Sequence, residues 1–448
     1  MKDLTSGSVC KNFILFAIPL ILSGLLSQAY QTIDTMIAGR FLGQTGLAAI
    51  GATSQAISLL SAFFWGFFAG FGVYVAKLFG ACEYRRIRTD VINVFLLNIL
   101  IMALLSLVVI LCKEWILDLL KVEASIRQEA GIYFAIYVSG FGAIILNYSF
   151  TQVLNAMGSS SFPLFMSIVS AALNIAGNIL AVTVLDMGVV GIALASVLAS
   201  LVVDLLFLWK LRNCFRILGV IPEKFSFSAE AFRHSFRYAL PTSLQQTALY
   251  LSAFAMSPVI NAIGSSASAG YTVVMRIYDI NAGIYQNSSK TLSNYVAQCV
   301  GAEKYHKIRK GLFMGLFQGL LFTLPAILIC AIWANPINAS FFPEDYAGEA
   351  LNYATRFSRV YLPFIVLNLI NNLFHSFFRG IAAMRLLIFS TVLGSAVRLG
   401  ASLLFSSFFG MEGIFIGWAI SWLAEALFMA AIYFTHFRTA EMIQQAVH

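Results

Sequence analysis

Apolar stretches of about twenty residues recur along this chain, and nothing else in the sequence constrains its fold as strongly. At 1.5 Å rise per residue, each stretch matches the roughly 30 Å hydrocarbon thickness of a bilayer. The pattern predicts spans over 13–37, 47–75, 90–112, 131–154, 162–184 and 188–209. It predicts six more over 236–260, 269–298, 311–333, 352–378, 386–409 and 412–435. A membrane barrel would need short alternating strands instead, and the sequence has none of that pattern. Only 11% of the 448 residues are charged, where a soluble domain spends about a quarter. That leaves too little polar surface to hydrate a globule of this size, so lipid is the main solvent. The first stretch should stay as a helix and not be cleaved as a signal, because it is long, contains Pro19 and leads into Asp34.

The formal net charge of +8 is a matter of topology, and no nucleic-acid partner is expected. Lys77, Arg85, Arg86 and Arg88 follow the second span. Lys210, Arg212, Arg216, Lys224, Arg233 and Arg237 lie between the sixth and seventh, and Lys304, Lys307, Arg309 and Lys310 follow the eighth. By the positive-inside rule these loops and both termini should be cytoplasmic. Acids mark the opposite side: Glu114, Asp118, Glu123 and Glu129, then Glu344, Asp345 and Glu349. The six cysteines form no C-x-x-C and have no His partner nearby, which supports neither a disulfide framework nor a zinc site.

The chain repeats itself. Val75-Ala-Lys-Leu-Phe-Gly-Ala81 returns as Val296-Ala-Gln-Cys-Val-Gly-Ala302, an offset of 221 (296 − 75). Leu42-Gly43 returns as Ile263-Gly264 at the same offset, while Pro19 and Gly188-Val-Val-Gly191 return as Pro241 and Gly410-Met-Glu-Gly413 at 222. Six spans, an even number, separate the copies, so both run in the same sense through the membrane. The expected fold is therefore all-α: twelve transmembrane helices in two six-helix bundles related by parallel pseudo-two-fold symmetry. An N-lobe over 1–222 and a C-lobe over 223–448 should be joined by the basic segment 210–235, with alternating access at a cleft between them.

These residues resemble the multidrug and toxic compound extrusion (MATE) transporters over nearly the whole chain, in a prokaryotic branch. The resemblance rests on Pro19 and Tyr30-Gln-Thr-Ile-Asp34-Thr-Met-Ile-Ala-Gly39-Arg40-Phe-Leu-Gly43, followed by Leu47-Ala-Ala-Ile-Gly51. It also rests on the Gly80-Ala81 and Gly301-Ala302 turns, on Leu173-Asn174 leading to Gly188-Val-Val-Gly191-Ile-Ala-Leu-Ala-Ser196, and on Leu240-Pro241-Thr-Ser-Leu-Gln-Gln246. It implies two six-helix bundles in a V, and export of small organic compounds by antiport with Na⁺ or H⁺. It also implies a monomer in a bacterial inner membrane, with no cofactor and no enzymatic activity.

Asp34 is the sharpest single residue, an acid inside an apolar stretch with no Lys or Arg within one turn. A carboxylate at membrane depth costs several kcal/mol unless it is paired, hydrated, protonated or ion-bound. Protonation and Na⁺ binding would then compete for it. Asn174 and Asn178 lie one helical turn apart and face the same way. By the resemblance, Asn147, Asn174, Asn178 and Ser196 complete an N-lobe cation site around Asp34. The position matching Asn178 is often Asp in the family; Asn here leaves one formal charge where two would stand and shifts weight toward H⁺. The other reading of these amides is interhelical hydrogen bonding, worth about 1 kcal/mol each.

In the C-lobe, Arg276, Asp279, Lys290, Arg398 and Glu425 fall within spans, and Gln245-Gln-Thr-Ala-Leu-Tyr250 lacks the acid that another branch of the family carries there. Gln31, Gln245, Gln246, Arg276, Asp279, Lys290 and Arg398 are the candidate substrate-cleft residues. Their basic members either pair internally and snorkel or accept anionic and zwitterionic groups. Five scattered histidines suggest no metal site, and no G-x-x-x-x-G-K-[ST] is present for direct ATP drive. The alternative function is a flippase for lipid-linked glycans, whose pyrophosphate those basic residues would suit.

Overall fold

A computed structural model describes residues 2–220, 228–342 and 348–447, except for the side chains of Gln31, Gln44, Gln55 and Ala231. The described residues are overwhelmingly helical and contain no strand. Twelve long helices follow in chain order. They are α1 (Val9–Gly43), α2 (Ala56–Gly80), α3 (Tyr84–Leu111), α4 (Arg127–Ser139 with Phe141–Ala156), α5 (Ser161–Val184) and α6 (Gly188–Ile217). Then come α7 (Ala229–Ala255), α8 (Ser265–Gly301), α9 (Tyr305–Ile332), α10 (Glu349–Gly380), α11 (Met384–Phe409) and α12 (Met411–His436). Each coincides with one of the twelve spans expected from the sequence. Glu344, Asp345, Pro222 and Lys224 lie outside the described residues.

Among the described residues nine helices are long and apolar enough to cross a membrane, and α4 makes a tenth if its two segments, bent by 44°, form one span. The two that fall short, α7 and α8, carry polar residues on buried faces. From Ser288 to Val300 almost every side chain of α8 is buried, including Ser288, Ser289, Thr291, Ser293, Asn294 and Gln298. A helix solvated by protein has no need of the hydropathy that lipid demands.

The repeat is written into the backbone. The helical rod Val9–Gly80 breaks at Gly43, whose φ of 67° only glycine adopts at little cost. Its counterpart Gly264 has φ 136° and separates the short helix Ser257–Ile263 from α8. Gly188 and Gly410, before α6 and α12, both have φ 56°. Pro19 and Pro241 both sit inside helices, in α1 and α7.

Contacts divide the chain into two compact units. One comprises Met1–Asp3 and Leu22–Ser243, the other Leu4–Ile21 and Leu244–His448. In the first, Gly66 and Gly70 of α2 lie against the backbone of α7 at Tyr238–Ser243, and Phe67 meets Phe236 at 5.1 Å. In the second, the opening turns of α1 join the core of α8 and α9. Phe13 packs edge-on against Tyr295 at 5.0 Å, and Lys304 and Lys307 donate to Thr5 at 2.8 Å.

Candidate functional site

In the first unit, one hydrogen-bonded chain links three helices. Asn178 Nδ2 of α5 donates to Asp34 Oδ1 of α1 at 2.8 Å and to Asn174 Oδ1 at 2.9 Å. Asn174 Nδ2 donates to Ser196 Oγ of α6 at 2.9 Å, and Ser196 Oγ donates to the Ile192 carbonyl at 3.1 Å. Helical spacing is the local cause: Asn174 and Asn178 stack one turn apart and aim at both neighbours. Asn178 and Asn174 are fully buried, whereas Asp34 is half-buried and has an open side. Just past Asn178 the helix widens into a π turn, Leu180–Val184. Such turns concentrate at functional sites.

Asp34 accepts from Asn178 Nδ2, and the Tyr30 hydroxyl lies beside it one turn back on α1. Tyr133 and Tyr137 of α4, stacked at 5.8 Å, lie within its electrostatic reach. Asn178 Oδ1 is buried and has no hydrogen-bond partner among the described residues. It is a spare acceptor beside a carboxylate, the kind of oxygen that a small hard cation takes as a ligand. Four expected residues therefore meet: Asp34, Asn174, Asn178 and Ser196. Asn147 is half-buried on α4 and makes no hydrogen bond to this chain among the described residues.

In the second unit, a cavity of about 130 Å³ is lined from α7, α8, α10, α11 and α12. Of the candidate cleft residues, Gln245, Gln246, Lys290 and Arg398 line it; Arg276 and Asp279 do not, and the side chain of Gln31 is outside the described residues. Lys290 Nζ donates to Asn287 Oδ1 at 2.9 Å, and Arg379 Nη2 to Gln245 Oε1 at 3.0 Å. The Arg398 guanidinium lies 4.2 Å from the Trp418 ring centroid. The one carboxylate in the lining, Glu425, is held by His375 Nε2 at 3.1 Å and Asn371 Nδ2 at 3.2 Å. Three formal cations (Lys290, Arg379, Arg398) thus face one acid, with an aromatic wall of Tyr278 and Trp422 stacked at 6.2 Å.

Sequence reasoning missed Tyr30, Arg379 and His375. A signal for the last two exists: Asn368, Asn371, Asn372, His375 and Arg379 recur at helical spacing and put one polar face on α10. Among the described residues no three His, Cys, Asp or Glu side chains group as metal ligands would.

Comparison with known proteins agrees with this architecture. The MatE family model matches residues 19–180 and again 241–404, so its two copies start 222 residues apart (241 − 19), as do Pro19 and Pro241. The probable multidrug resistance protein YoeA of Bacillus subtilis (strain 168) is 24% identical over 347 residues, covering 75% of this chain and 74% of its own. The multidrug export protein MepA of Staphylococcus aureus (strain N315) is 20% identical over 423 residues, 94% of this chain and 91% of its own. A solved structure described as MATE in complex with MaL6 superposes with a TM-score of 0.90 at 19% identity, covering 99% of this chain and 98% of that one. A twofold family match over most of the chain, on twelve membrane helices and a repeat at one offset, leaves no room for an enzyme: this chain belongs to the MATE family of membrane transporters.

Proposed function

We propose that this protein exports small organic compounds across a bacterial inner membrane by alternating access, driven by entry of H⁺ or Na⁺ at Asp34. The observation that carries this reading is the chain Asp34–Asn178–Asn174–Ser196, which surrounds a membrane acid with polar groups and, among the described residues, no basic partner. The names of the relatives, multidrug resistance and export proteins, favour drug efflux over flipping of lipid-linked glycans. The unit-two cavity, with its Lys290, Arg379, Arg398 and aromatic wall, is the substrate site in this reading and suits compounds bearing an anionic or zwitterionic group. The two lobes of the sequence repeat, 1–222 and 223–448, are the moving parts, and the protein works as a monomer.

Norfloxacin efflux from proteoliposomes under separately imposed Na⁺ and H⁺ gradients tests the function. Uphill movement under at least one gradient is expected; none under either would refute antiport. Converting Asn178 to Asp should raise Na⁺ affinity by about tenfold or more, because a second carboxylate at hydrogen-bond distance adds well over a kcal/mol of attraction even in a polar protein interior. Sodium-binding calorimetry on both proteins would read this, and equal affinities would show that the Asn178 carbonyl is no ligand.

Both termini and the 210–235 segment are cytoplasmic in this reading, from the Lys and Arg asymmetry. With the six native cysteines replaced by serine, a cysteine placed at Arg216 should be silent to an impermeant maleimide in intact cells and react after permeabilisation. Reaction from outside would invert the topology.

A further inference from the structure

We propose that Asp204 is a second carrier of the coupling ion, holding one H⁺ or Na⁺ in the depth of the first unit. This rests on the antiport reading of Asp34. On α6, Ser196, Ser200 and Asp204 follow at four-residue steps, so they stack on one face. All three are buried, at 8%, 8% and 6% exposure. Ser196 is the far end of the Asp34 chain, since Asn174 Nδ2 donates to its Oγ. Ser200 Oγ donates to the Ser196 carbonyl at 2.9 Å, and Asp204 is the next turn. Beyond it the aromatic layer closes: Phe207 stacks on Phe150 at 5.6 Å, and Phe150 meets Phe95 edge-on at 4.7 Å.

Both Asp204 carboxyl oxygens are shut off from solvent, and neither has a hydrogen-bond partner among the described residues. Among the described residues it forms no ion pair. An ionised carboxylate so placed costs several kcal/mol, and a structural acid would be expected to have a donor to hold. The same group carrying a proton or a monovalent cation is neutral and tolerable. In the proton case, the proton lost from the Asp34 carboxyl is gained by the Asp204 carboxylate, so one acid is neutral while the other is charged. From Ser196 to Asp204 is roughly 12 Å along the helix. Ser200 Oγ donates to the Ser196 carbonyl and does not reach Asp204, so the proton leaves Asp34 to water and Asp204 takes one up from water as its face opens. For Na⁺ the oxygens of Ser196, Ser200 and Asp204 serve as successive ligands.

The test compares full-length Asp204→Asn, Asp204→Glu and Asp34→Asn in proteoliposomes. Asp204→Asn should bind norfloxacin with near wild-type affinity yet lose uphill efflux by about tenfold or more, and Asp204→Glu should recover most of it. In the wild type, dicyclohexylcarbodiimide, which adds to protonated carboxyls in apolar surroundings, should label the peptide containing Asp204, or Na⁺ should protect that peptide if the metal ion occupies it. Wild-type efflux by Asp204→Asn would overturn the proposal, and so would an equal loss in the Asn and Glu variants, which marks a packing role. If Asp204→Asn does not fold, labelling of the wild type decides: no adduct with or without Na⁺ refutes it. Should Asp34→Asn fail while Asp204→Asn transports normally, only this inference falls; if both transport normally, the coupling reading falls with it.

Discussion

Asp34→Asn should reach the membrane at wild-type level and bind norfloxacin, yet lose uphill efflux by about a hundredfold or more under both gradients. The amide keeps the shape of the carboxyl and can still accept from Asn178 Nδ2, which now lies at 2.8 Å from Oδ1. What it loses is the ability to exchange a charge for a proton or a cation. Antiport needs that exchange, because the ion can drive transport only through its differential affinity for the two access states. A site that no longer binds the ion has no such difference to contribute. Downhill leakage would persist, so the measurement must be made against a substrate gradient. Full uphill efflux by the variant would reduce Asp34 to a structural hydrogen-bond acceptor.

Gly413→Leu and Gly417→Leu should each remove most of the folded protein from the membrane. On α12 these glycines are four residues apart and face α11. A Cβ at Gly413 would run into the Phe405 carbonyl oxygen, and one at Gly417 into the Ser402 hydroxyl and, at 2.6 Å, the Ser402 backbone nitrogen. Each position faces backbone, so a side chain swinging aside would not make room. Small residues at this spacing let helices approach closely in lipid, where packing rather than hydrophobicity holds them together. Ser402 Oγ donates to the Ile414 carbonyl across the same seam at 3.3 Å. Prising the helices apart would cost this bond and the packing around Trp418, on the order of 3 kcal/mol or more. Fluorescence-detected size-exclusion chromatography would report the loss; a monodisperse peak at wild-type yield for both variants would contradict the close packing.

The fold was legible in the sequence because a bilayer sets a length and a hydropathy that few other constraints reproduce. Helices α7 and α8 were expected from the same pattern, over 236–260 and 269–298, but their polar faces look to protein and leave them less apolar than the other spans. At the candidate site, Asp34 stood out for want of a basic neighbour, and the four-residue spacing of Asn174 and Asn178 foretold a shared direction. Tyr30 did not stand out, since a tyrosine in a membrane helix is as often an interfacial anchor. Asp204 was hidden by position: it lies six residues before Lys210 (210 − 204), near a basic helix end where an acid reads as surface. Arg379, in the last turn of α10, was masked in the same way. Helix rotation decides all three cases, and one-dimensional spacing reports it only when a whole face is polar. Asn147 shows the converse. It was expected from family resemblance, and it lies on the second segment of α4, Phe141–Ala156, with no hydrogen bond to this chain among the described residues.

If ion and substrate exchange through Asp34, then substrate binding must expel the ion. Purified protein in weakly buffered detergent solution, titrated with norfloxacin beside a pH-indicator dye and a Na⁺-selective electrode, measures this directly. The wild type should release about one H⁺ or one Na⁺ per norfloxacin bound, and Asp34→Asn should bind norfloxacin without that release. Binding with no ion released from the wild type, or equal release from both proteins, would contradict coupling at Asp34.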